Sequence, residues 1–116
     1  MAGLTTHILD TSTGLPASGL PVEVWSADGK TRLAQCTTNA DGRTDQPLIA
    51  PKDARDGFYE IRFFVEHYLN REPPVDASEP PFFDVISIRF RYSSARPHHH
   101  IPLLLSPFGY STYRGS

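Results

Sequence analysis

Cysteine is nearly missing from this chain of 116 residues: Cys36 stands alone, so no intrachain disulfide can form. That excludes the disulfide-stapled scaffolds and favours a reducing compartment. Positive charge is scarce as well. Eleven Lys and Arg against thirteen Asp and Glu leave a net charge of −2, too little to attract nucleic acid or an anionic membrane. No apolar run approaches the roughly 18 residues of a transmembrane helix. The longest clean one, Ile101-Pro102-Leu103-Leu104-Leu105, contains a proline and is strand-sized. The N-terminal residues show no basic segment followed by an apolar one, and the chain does not end in the Ser-Lys-Leu peroxisomal address, so a cytoplasmic location is expected. There is no Gly-rich phosphate loop, no nucleophile elbow and no paired-cysteine metal knuckle.

What is present is an ordinary globular composition, 39% hydrophobic and 21% charged, with eleven prolines and eight glycines that punctuate the chain at short intervals. Its length suits one domain, residues 1–116. Thr13-Gly14, Ser18-Gly19, Asp28-Gly29, Asp41-Gly42 and Asp56-Gly57 read as turns. Between them lie short β-favouring runs: Leu4 to Leu9, Val22 to Trp25, Thr31 to Thr38, Phe58 to Val65, Phe82 to Tyr92, His98 to Leu105 and Tyr110 to Tyr113. Only Val65 to Glu72 reads as a helix, with Val65, Tyr68 and Leu69 on one face. The expected fold is all-β, a two-sheet sandwich of about eight short strands with one short helix.

Histidine is the informative residue. His98, His99 and His100 enter an apolar strand, and strand alternation puts His98 and His100 on one face with His99 on the other. Two imidazoles on one face suit a metal site, an acid/base pair or an anion clamp; they also suit a solvated edge strand. His7 alternates with Thr5 and Leu9, and taken alone is a hydrogen-bonded strand histidine. Arg43 taken alone is a surface arginine after the Asp41-Gly42 turn, His67 is a solvated polar residue, and Cys36 is structural. The C-terminal stretch, Tyr110-Ser111-Thr112-Tyr113-Arg114-Gly115-Ser116, is too aromatic for a frayed tail and is expected to pack against something.

Five stretches together resemble the 5-hydroxyisourate hydrolases, the transthyretin-like enzymes. They are Leu4-Thr5-Thr6-His7-Ile8-Leu9-Asp10, Gly14-Leu15-Pro16-Ala17, Thr38-Asn39-Ala40-Asp41-Gly42-Arg43, the run from His98 to Pro107, and the ending Tyr110 to Ser116. The resemblance spans essentially the whole chain, and the terminal Tyr113-Arg114-Gly115-Ser116 is its most specific part. It implies a transthyretin-like sandwich, assembled as a homotetramer with active sites where two dimers meet. It implies hydrolytic opening of the six-membered ring of 5-hydroxyisourate, in urate breakdown, without metal or other cofactor. His7, Arg43, His100 and Ser116 fall on the catalytic positions. His7, Arg43, His98, Tyr113 and Arg114 fall on substrate-contacting ones. The residue types suit the reaction, since a neutral imidazole can take a proton from water and a guanidinium can hold an oxygen-rich substrate. Which histidine is the base stays open. Two rivals stay open too: a transthyretin-type carrier of a small apolar ligand, and a zinc hydrolase with His7, His98 and His100 as ligands.

Overall fold

The computed structural model describes residues 3–70, 80–96 and 98–115. Among the described residues eight strands form two four-stranded sheets packed face to face, the expected sandwich. The first sheet has the order β2-β1-β7-β8, from β1 (Leu4–Asp10), β2 (Leu15–Pro16), β7 (His99–Ser106) and β8 (Gly109–Thr112). The second has the order β4-β3-β5-β6, from β3 (Pro21–Ser26), β4 (Arg32–Thr37), β5 (Gly57–Phe64) and β6 (Val85–Tyr92). All pairs are antiparallel except β1 with β7, which run parallel.

Period-two alternation decides which residues meet between the sheets. Leu4, Ile8, Leu103 and Leu105 face Val22, Val24, Ile61, Phe63 and Ile86 in one shared core. Each such side chain contributes about 1.5–3 kcal/mol by leaving water. The Val22/Val24 and Ile86/Tyr92 faces are the ones alternation selects. The strand run expected from Phe82 starts only at Val85, and the tiny β2 and a 3-10 turn at Pro51–Asp53 carry no alternation that would reveal them.

The helix is shorter than expected. α1 is a single turn, Glu66–Leu69, and Asn70 closes it with backbone bonds to Glu66 and His67. Four residues cannot offset helix nucleation alone, so tertiary contact holds it. Tyr68 is buried and its hydroxyl donates to Asp10 Oδ2 at 2.8 Å, tying the turn to the end of β1. Residues 71 and 72 of the expected helix, and most of the proline-rich loop after it, lie outside the described residues.

Pro102 sits inside β7 and shapes the chain's end. Proline has no N–H to give a neighbouring strand. The β7–β8 ladder accordingly stops at the Leu103–Thr112 pair, where Thr112 Oγ1 donates to the Pro102 carbonyl at 2.8 Å. The tail then returns to β7 through one bridge, Gly115 N–H to the His100 carbonyl at 2.7 Å.

Candidate functional site

The parallel pairing of β1 and β7 builds the site. Its register sets Thr5 beside His100 and His7 beside Pro102. Leu4, Thr6 and Ile8 point into the core with His99, Ile101 and Leu103, so Thr5, His7, His100 and Pro102 share the outer face. Thr5, His7 and His100 are each half-buried there.

Arg43 reaches this face because a tight loop crosses β1. Asn39 Oδ1 accepts the backbone N–H of Asp41 at 2.9 Å and of Arg43 at 3.3 Å, and Asn39 and Arg43 also bond through their backbones. Gly42 has φ +73°, and a Cβ there would lie 2.5 Å from the Ile8 carbonyl oxygen. Only glycine allows both the left-handed backbone and this approach. The Ile8 N–H then donates to the Gly42 carbonyl at 2.8 Å, and His7 and Arg43 become bridge partners.

A cleft of about 360 Å³ opens beside these residues, lined by Thr5, Arg43, Thr44, Gln46, His98 and His100 among others. His7 adjoins it through its bridge to Arg43. The rings of His98 and His100 are 6.2 Å apart between centroids. The Thr5 hydroxyl lies between them, 3.1 Å from His98 Nε2 and 2.8 Å from His100 Nδ1. Partial burial pushes the pKa of His7 below the ordinary 6.5, and the Arg43 charge adds to this; contacts with Asp41 oppose it. His100 is lowered in the same sense by burial, then by Arg43, His98 and His7. The face thus carries imidazoles that stay neutral beside a fixed positive charge, an arrangement suited to taking a proton from water next to an anionic or oxygen-rich ligand.

The sequence-expected residues divide into two groups. His7, Arg43, His98 and His100 come together. Tyr113 and Arg114 line a different hollow of about 420 Å³, with Ile88, Phe90, His99 and Ile101. Ser116 lies outside the described residues. His99 faces inward, opposite to His98 and His100 as alternation requires, and packs on Tyr92 at 4.3 Å; among the described residues its Nδ1 has no side-chain hydrogen-bond partner. His67 is exposed, and Cys36 is a half-buried free thiol whose pKa is raised by burial and by Asp45. Among the described residues no three His, Cys, Asp or Glu side chains are grouped to hold a metal ion. Nor is any helix among them long and apolar enough to cross a membrane. Thr5 and Gly115 are the site residues that sequence reasoning missed. Alternation places Thr5 with His7, but only the β1–β7 register shows that it meets His100.

Comparison with known proteins gives a consistent set of relatives. The profile described as the HIUase/Transthyretin family matches residues 4–115. The chain is 46% identical over 116 residues to the 5-hydroxyisourate hydrolase of Deinococcus radiodurans, covering 98% of this chain and 96% of that one. Among solved structures it resembles Klebsiella pneumoniae 5-hydroxyisourate hydrolase, with a TM-score of 0.80, 35% identity and full coverage of both chains. It also resembles sea bream transthyretin in complex with thyroxine, with a TM-score of 0.83 and 30% identity, over 97% of this chain and 94% of that one.

Proposed function

The chain belongs to the HIUase/Transthyretin family, and on that footing we propose that it is an enzyme that hydrolyses 5-hydroxyisourate at the cleft beside His7, Arg43, His98 and His100. The observation that carries this reading is the convergence of lowered-pKa imidazoles and one guanidinium on a single sheet face. The high identity to hydrolases over the whole chain supports it.

Water adds to a ring amide carbonyl of the substrate, the ring C–N bond breaks, and a carboxylate and the NH2 end of an exocyclic ureido group result. The product is 2-oxo-4-hydroxy-4-carboxy-5-ureidoimidazoline. His7 and His100 jointly take the proton from the attacking water and return it to the leaving nitrogen. Arg43 clamps the substrate and stabilises the oxyanion that develops, a contribution of about 2.7–4 kcal/mol for one well-placed donor. His98 contacts substrate from the same edge of the cleft. Ser116, next in the chain after the Gly115 bridge, hydrogen-bonds substrate or water. Tyr113 and Arg114 belong to the same tail. Within one chain their side chains line the other hollow, so any contact they make with substrate is across a subunit boundary. No step in this scheme needs a metal or an organic cofactor.

The assembly proposed is a homotetramer with its clefts where two dimers meet. In its favour, Leu15, Phe82, Phe108, Tyr110 and Tyr113 are large apolar side chains left exposed by one chain. Light scattering at micromolar concentration tests this, and a fully active monomer would refute it. The proposed location is the cytoplasm, and the domain is the whole chain. The deciding experiment for the function follows the loss of freshly generated 5-hydroxyisourate absorbance with the wild type beside His7→Ala. Rapid loss with the wild type and slow loss with the variant is expected. No acceleration by the wild type would leave the carrier reading, a transthyretin-like site for a small apolar ligand.

A further inference from the structure

The Thr5 hydroxyl has two imidazole nitrogens within hydrogen-bond distance, His98 Nε2 at 3.1 Å and His100 Nδ1 at 2.8 Å. It owns one hydrogen, so it can donate to only one of the two rings. Two arrangements have it donating to one ring and accepting from the other. If Thr5 donates to His100 Nδ1, the neutral His100 ring carries its proton on Nε2 and has no lone pair left to take one from water. If Thr5 donates to His98 Nε2, it accepts the Nδ1–H of His100, and the His100 Nε2 lone pair is the one left for the cleft.

We propose that Thr5 is a positioning residue that holds the second arrangement, with its hydroxyl accepting from His100 Nδ1 and donating to His98 Nε2. The inference rests on the hydrolase reading, because only a base at His100 requires that tautomer. Two observations support a fixed contact between Thr5 and His100. The same register that pairs Thr5 with His100 on neighbouring strands holds the hydroxyl in place through both backbones. Gly115 covers the ring at Cδ2, so the imidazole is held there as well as at Nδ1. A bond between the His100 ring and the Thr5 backbone also favours the protonated ring. When His100 takes a proton from water on Nε2, its Nδ1–H bond to Thr5 is already made, and the imidazolium forms without any ring turning. When Nε2 returns that proton to the leaving nitrogen, the starting tautomer is restored. His98 in this scheme accepts a hydrogen bond at Nε2 and keeps its own proton on Nδ1.

The test uses the full-length protein labelled with nitrogen-15. Long-range proton–nitrogen spectra report each imidazole's tautomer without reference to turnover. In the wild type, His100 is expected to be protonated at Nδ1 and bare at Nε2 near neutral pH. Thr5→Val keeps the size and removes the hydroxyl. It should give a mixture of His100 tautomers and a kcat lower by roughly 10- to 100-fold, with KM changed by less than about threefold. Thr5→Ser should restore both the single tautomer and most of kcat. A wild-type His100 carrying its proton at Nε2, or a Thr5→Val protein with undiminished kcat, overturns the proposal. If Thr5→Val does not fold, the wild-type spectrum and the Thr5→Ser protein decide in the same way. A wild type with the expected tautomer but no hydroxyisourate hydrolysis supports the positioning role of Thr5 and refutes the hydrolase reading instead.

Discussion

Gly115 lies against the imidazole of His100: a Cβ at 115 would sit 2.7 Å from His100 Cδ2 and 3.2 Å from Pro102 Cγ. The seat is reserved for glycine by space alone. Gly115→Ala should therefore shift the His100 ring or lift the tail off β7, with the sandwich intact. Activity is expected to fall about 10- to 100-fold, in keeping with a misplacement near 1 Å. Circular dichroism beside the hydroxyisourate decay assay checks this, and an unimpaired Gly115→Ala enzyme would show that the tail does not position His100.

Arg43→Lys should not be a conservative change. Lysine keeps the charge but loses the planar fork that holds two oxygens in parallel. One lost charge-assisted bond is worth about 1.5–3 kcal/mol, or roughly 10- to 150-fold in rate. Turnover equal to wild type would make Arg43 a structural residue of the loop that crosses β1.

The pH profile follows from two lowered imidazoles. Both His7 and His100 must be neutral to act as bases, and both hold their protons less tightly than an ordinary imidazole at 6.5, chiefly through burial and then through Arg43. The acid limb of kcat/KM should therefore fall below 6.5. Arg43→Gln removes one cause of the depression, so its limb should move upward as its rate drops. The sign for stability is the same. The unfolded chain binds these protons more readily, so stability rises with pH through this window and is lost as pH falls. A limb that moves down in Arg43→Gln would show that the guanidinium does not act on the histidines.

Asp10 offers a test of the scaffold away from the cleft. It is buried at the end of β1. Burial raises its pKa, but bonds from the Ser12 hydroxyl and backbone and from Tyr68 outweigh this and hold the carboxyl below the usual 3.8. Its contribution to stability is present above that ordinary value and is lost as pH falls through the lower folded one. Tyr68→Phe removes one bond to the carboxylate and should cost about 1.5–3 kcal/mol at neutral pH. The cost should shrink in acid. Urea unfolding at two pH values measures it, and a constant difference would mean the bond is not to a charged group.

Deleting Tyr113 to Ser116 should leave all eight strands, because β8 ends at Thr112. It removes the Gly115 bridge to His100 and the proposed Ser116 contact, so most activity should go. Circular dichroism and size-exclusion chromatography on the shortened protein separate this from unfolding or loss of assembly. A folded protein with normal turnover would withdraw every role given to the tail.

Much of the fold was legible because one face of each strand meets a core. Alternation put Val22 with Val24 on one face and set His98 and His100 opposite His99; burial in the core then shows which of those faces is inward. The helix was read too long because Val65, Tyr68 and Leu69 keep helical spacing, whereas Asn70 closes the turn. The site was legible only residue by residue. His7, Arg43 and His100 are distant in sequence, and strand pairing, which periodicity does not encode, brings them together. Thr5 stayed hidden for that reason. Gly115 stayed hidden because its function is to lack a side chain. The separation of Arg114 from the cleft depends on the path of the tail after Thr112, which periodicity does not encode.

The parallel ladder between the first strand and the seventh has a consequence for biosynthesis. Thr5 and His100 are bonded neighbours separated by 95 positions of chain. Closing so long a loop is entropically unfavourable until both ends are present. A growing chain can pair β3 with β4, then β5 with β3 and β6 with β5, but β1 has to wait for its parallel partner until β7 has left the ribosome. Catalytic competence therefore waits for β7, and no translation product that stops short of it holds a working cleft.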